Sequence, residues 1–122
     1  SINQLKLSAT LDILGEHSKN KNEATRITEE YIQLYNQIST NNLDCNISIK
    51  PTHIGSDISQ SLFKANMNAI LNSAIKNNNF LRIDMENHML TDLTISTYNN
   101  QDNKNLGIVI QAYLYSFLLH PY

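Results

Sequence analysis

Four short apolar runs recur along this chain at intervals of roughly thirty residues, at 9–14, 47–49, 80–85 and 106–113. Each is bounded by polar residues and reads as a strand buried in a sheet. The runs do not alternate strictly. Stretches such as FLRIDM and GIVIQA read as covered on both faces, the habit of parallel sheets. Helical patterns fill the intervals. Residues 22–38 place Ile27, Tyr31, Leu34 and Ile38 on one stripe, with Asn22 as N-cap. Residues 59–75 place Phe63, Met67, Ile70, Leu71 and Ala74 on another, capped by Asp57 or Ser59. A shorter pattern at 91–98 sets Leu90, Leu93 and Thr97 to one side. The asparagine clusters at 77–79 and 99–100 read as loops, because Asn favours turns and caps. Strands alternating with helices at this spacing predict an α/β fold of parallel βα repeats.

Composition narrows the function classes. With 122 residues and 41 % apolar content, the chain has room for one domain with a real core. A net charge of −2 argues against a nucleic-acid partner. No apolar run approaches the roughly 18 residues of a membrane span, and SINQLKLSAT lacks a signal pattern. The single Cys45 excludes an internal disulfide and suits a reducing cytoplasm. Neither GxGxxG nor GxxxxGK follows any run, so a dinucleotide fingerprint and a P-loop are both missing.

The chemistry gathers where the runs end. Lys50, Asp84, Glu86 and Gln111 stand at or inside the C-terminal side of successive runs. In a (β/α)8 barrel that is the end that carries the active site. A lysine flanked by apolar residues is a partly desolvated point charge suited to a carboxylate or phosphate. Asp84 and Glu86 share a face if both are extended, and suit an acid/base pair, a metal, or neutralisation of Lys50. Gln111 offers both a donor and an acceptor, which the edge of a flat heteroaromatic ring would satisfy. The same four residues also suit plain solvated strand ends. His17, His53 and His88 follow successive runs, but no HxH or HExxH is present, and no metal is expected.

Four segments resemble a known family. TLDILGE at 10–16 resembles the TLDxLGE stretch of bacterial proline dehydrogenases, and SIKPTHIG at 48–55 resembles their SLKLTxLG. LRIDME at 81–86 resembles LRLDMEx, and GIVIQAYLY at 107–115 resembles GIVLQAYLYR. The motifs occur in the family's order and cover about residues 10–115. The resemblance implies a distorted (β/α)8 barrel holding FAD that oxidises L-proline to Δ1-pyrroline-5-carboxylate and passes electrons to a membrane quinone. It implies that Lys50 binds the proline carboxylate and that Asp84 is the active-site aspartate beside the flavin. Ile83, Asp84 and Gln111 fall at flavin-contacting positions. The implied location is the cytoplasm, peripheral to the inner face of the membrane.

Two departures stand out. Pro51 replaces the family's leucine after the lysine; it fixes φ and removes an N–H, which a strand end tolerates. The family also continues past AYLY with an arginine and further strands, whereas here SFLLHPY comes next. A barrel takes about 250 residues, so residues 1–122 are expected to form its first half, about four βα units. Two readings remain open. One is the flavoenzyme, or the portion of it present here. The other is a non-catalytic half-barrel that self-associates through its open sheet edges or pairs with a companion chain.

Overall fold

A computed structural model describes residues 1–112 of the chain. Strand β1 (Ala9–Leu11) leads to helix α1 (Lys21–Thr40), then β2 (Cys45–Ile49) and α2 (Gln60–Lys76). Strand β3 (Leu81–Ile83), helix α3 (Thr91–Asn99) and strand β4 (Leu106–Ile108) complete the described part. The strands form one parallel sheet in the order β1-β2-β3-β4. This is the α/β architecture of parallel βα repeats expected from the spacing.

Helix starts follow side-chain chemistry. Asn20, not Asn22, caps α1: its side chain accepts from the Glu23 N–H at 2.9 Å. Glu23 reaches back to the Lys19 N–H at 2.7 Å, one residue before the cap, and so ties the incoming chain to the first turn. The N-x-x-E spacing at 20–23 is the local signal that moves the start upstream. Ser59 caps α2 through the Leu62 N–H at 3.1 Å. That helix ends at the asparagine cluster, where Asn78 takes a positive φ of 50° that few other residues tolerate.

The core lies on one side of the sheet. Ile47, Ile49, Leu81 and Ile83 are fully buried against Tyr31, Tyr35, Phe63, Met67 and Ile70 of the first two helices. Burying one such apolar side chain stabilises by about 1.5–3 kcal/mol. Tyr35 takes a place in the α1 stripe while Leu34 is only half-buried, because the Tyr35 hydroxyl donates to the Phe80 carbonyl at 2.9 Å. The buried face of α3 is Thr91, Thr94, Ile95 and Thr97, with Leu90 and Leu93 half-buried. The expected leucine side is thus turned partly outward.

The strands and the sheet faces depart from the sequence expectation. The strands are shorter than the apolar runs. After Leu11 the Ile13 N–H turns to the Tyr31 hydroxyl at 3.3 Å, and Gly15 breaks the path at φ +144°. Leu14 is left 94 % exposed. The sheet is also not apolar on both faces among the described residues. In LRID, Leu81 and Ile83 are buried while Arg82 and Asp84 are half-buried, a plain alternation. Tyr113 and the tail after it lie outside the described residues.

Candidate active site

The second face of the sheet is polar, and register fixes its layout. Paired residues of parallel neighbours share a face, so Ser48, paired with Arg82, puts both side chains opposite the core. Lys50 comes two residues after Ser48 in extended backbone, at φ −98° and ψ 127°, and returns to that face. Asp84 stands one step beyond the last pair, Ile49 with Ile83, and its N–H donates to the Ile49 carbonyl at 2.9 Å. Lys50 and Asp84 are therefore neighbours at the C-terminal end of the sheet. Val109 sits at the same level on the next strand, with its N–H on the Ile83 carbonyl at 2.9 Å. Gln111 lies two residues further, at the same end.

The turn after Lys50 holds it in place. Pro51 opens a 3-10 turn, Pro51–Ile54, all four residues of which are buried. Proline suits a first helical position, since its missing N–H is not needed there. The departure from leucine thus anchors the turn rather than disturbing the strand. The Lys50 side chain is 29 % exposed, and its Nζ lies 3.5 Å from Asp12 Oδ2. Asp12 pairs with a residue that motif reading alone left to the other carboxylates. Register supplies the missing signal: Leu11 pairs with Ile47, so Asp12 stands level with Ser48 and two residues below Lys50.

Asp84 and Glu86 separate. Asp84 Oδ1 accepts the hydroxyl proton of Ser48, which is buried on the neighbouring strand. Glu86 bonds instead to the turn that follows β2. Its carboxylate takes the Thr52 N–H at 2.8 Å and the Thr52 hydroxyl at 2.6 Å. Thr52 Oγ1 in turn accepts from the His17 N–H at 3.1 Å. Of the three roles open to them in the sequence, an acid/base pair is therefore not the one these two carboxylates take up. Glu86 is a strut that joins the exits of β1, β2 and β3.

The histidines take structural places. His53 is buried edge-on to Tyr31, with ring centroids 6.4 Å apart. Burial, and next the charge of Lys50, pull its pKa below the ordinary histidine range. Burial pushes the Tyr31 phenol up to about 12. His17 Nδ1 donates to the carboxylate of exposed Asp57 at 2.6 Å, a bond that raises its pKa. Among the described residues, no three His, Cys, Asp or Glu side chains gather as a metal site requires.

Two residues bear on a flat ring ligand. The Gln111 Oε1 is buried with no hydrogen-bond partner among the described residues. A buried acceptor in that state costs free energy until a donor reaches it. Ile83 is different: its side chain is fully buried in the helix-side core. Any contact from Ile83 to a ligand on the polar face is through its main chain, not the side chain.

A family model described as proline dehydrogenase matches residues 1–119. The chain belongs to the proline dehydrogenase family. It is 38 % identical over 116 residues to proline dehydrogenase 1 of Bacillus subtilis subsp. natto, covering 93 % of this chain and 38 % of that one. Over the same shares it is 35 % identical to proline dehydrogenase 2 of the same subspecies. Identity to proline dehydrogenase of Deinococcus radiodurans is 25 % over 119 residues, 92 % of this chain and 38 % of the other. Among solved structures, proline utilization A from Bdellovibrio bacteriovorus superposes with a TM-score of 0.83 at 23 % identity. That superposition covers 93 % of this chain and 15 % of the other, and it shows the shared fold. The chain thus spans 38 % of the length of its curated proline dehydrogenase relatives.

Proposed function

We propose that this protein oxidises L-proline to Δ1-pyrroline-5-carboxylate on a bound FAD, with a quinone as the final electron acceptor. One observation carries the reading. A half-buried ammonium, a carboxylate fixed by a hydroxyl, and an amide oxygen left without a donor among the described residues stand at one end of a parallel sheet in a chain of this family.

The residues fit the group. Gln111 Oε1 has no donor among the described residues, and the flavin ring edge presents an N–H. FAD bound there supplies a two-electron acceptor. Lys50 binds the proline carboxylate by charge and orients the ring. The ring carbon next to nitrogen, on the side away from the carboxylate, loses hydrogen with its electron pair. The electron pair would pass to the flavin held there, the nitrogen gives up a proton to water, and the C=N bond forms. Asp84, with one oxygen occupied by Ser48, keeps the other for the amine hydrogens and holds the nitrogen toward the reacting centre. The site faces the cytoplasm in this reading, with the quinone reached at the inner membrane surface.

The test is spectroscopic. Full-length protein should purify with a flavin absorption band, and anaerobic L-proline should bleach it. A flavin band that L-proline leaves unchanged, or a protein that takes up no FAD, contradicts the reading.

A further inference from the structure

We propose that Ser48 is a positioning residue: its hydroxyl holds Asp84 off the ammonium of Lys50 and so keeps that cation open to a carboxylate ligand. The inference rests on the reading of Lys50 as the carboxylate binder.

The register makes the need plain. Lys50 and Asp84 stand side by side on adjacent strands, which are about 4.8 Å apart. A lysine and an aspartate so placed would ordinarily pair with each other. Instead each turns to a different partner. Asp84 reaches back one row to Ser48, and Lys50 reaches across to Asp12 at 3.5 Å. The two partners differ in kind. Ser48 is only 6 % exposed, so its bond to a carboxylate is sheltered from water. The Asp12 side chain is 50 % exposed, so its pairing with Lys50 is screened. An incoming carboxylate displaces Asp12 at small cost. It would not so easily displace Asp84, which stands further from solvent. Ser48 thus decides which carboxylate Lys50 keeps while it waits for ligand.

The experiment measures binding, not turnover. Full-length, flavin-loaded protein is titrated by calorimetry with cyclopentanecarboxylate, a ring carboxylate with no amine to oxidise. Ser48→Ala frees Asp84 to pair with Lys50 and should weaken affinity about fivefold or more. Adding Asp84→Asn to that variant removes the competing charge. Affinity should then return to within about twofold of the parent. Ser48→Thr keeps the hydroxyl and should bind as the parent does. A merely structural serine would not be rescued at Asp84. Unchanged affinity in Ser48→Ala, or a loss that Asp84→Asn does not restore, overturns the proposal. If the alanine variant does not fold, Ser48→Cys keeps the volume but donates weakly, and the same two expectations apply to it. Lys50→Met separates the two layers. If it leaves affinity unchanged, the reading of the site falls and this inference with it. If Lys50→Met weakens binding while the Ser48 variants do not, the inference alone falls.

Discussion

Replacing Thr52 by valine exchanges one hydroxyl for a methyl in a fully buried side chain and leaves the volume almost unchanged. The cost is therefore polar, not a cavity. That hydroxyl donates to the Glu86 carboxylate at 2.6 Å and accepts from the His17 N–H at 3.1 Å. A hydrogen bond to a charged group is worth about 1.5–3 kcal/mol. The His17 N–H adds little, because His17 is exposed and water can replace the lost acceptor. The Thr52 N–H still holds the other Glu86 oxygen at 2.8 Å, so the strut is weakened rather than cut. The expected loss is about 1.5–3 kcal/mol, which lowers the melting temperature of a barrel-sized domain by about 3–10 °C. Thr52→Ser, which keeps both bonds, should lose less than half as much. Differential scanning calorimetry of the two variants beside the parent decides it. A Thr52→Val melting point within about 1 °C of the parent, or a serine variant equally damaged, would refute the strut.

Three further outcomes are expected from particular residues. His17 has its pKa raised by Asp57, so the stabilisation from this pair is present below the unfolded value of about 6.5 and is lost as pH rises through the raised folded value. An NMR titration should find His17 above 6.5, falling back in Asp57→Asn; equal values in both would remove the pairing. Gly15→Ala places a Cβ 2.7 Å from the buried His53 Nε2 at φ +144°, and should cost about 2–4 kcal/mol, read as a lowered melting point. Among the described residues β1 and β4 are the sheet edges, with Leu14 94 % and Ile110 56 % exposed near them, and a polypeptide limited to residues 1–122 tests what those edges do. It should self-associate and hold no flavin; a monodisperse monomer in light scattering would contradict this.

Much of the fold was legible because burial follows period. The stripe Phe63, Met67, Ile70, Leu71 and Ala74 is buried as its spacing requires. Strand lengths were less legible. An apolar run does not say where pairing stops, and β1 stops because the Tyr31 hydroxyl, from helix α1, takes the Ile13 N–H. The site was legible as a set of residue types but not as a set of pairs. Glu86 reads from sequence as a partner of Asp84, yet Thr52 captures it through a turn that Pro51 initiates. Asp12 and Ser48 carry no chemical flag of their own. They enter the site only through register, which sequence spacing leaves undefined until the strands are aligned.

In the proposed reading Lys50 is a cation held half-buried at the sheet's end for the carboxylate of proline. Lys50→Met in the full-length protein tests it, with flavin content and L-proline affinity measured on the same sample. A charge-assisted bond of about 1.5–3 kcal/mol corresponds to about a tenfold to hundredfold loss of affinity. The expected result is that loss with flavin content unchanged. Proline affinity that stays at the parent value, or a variant that loses its flavin instead, would contradict it.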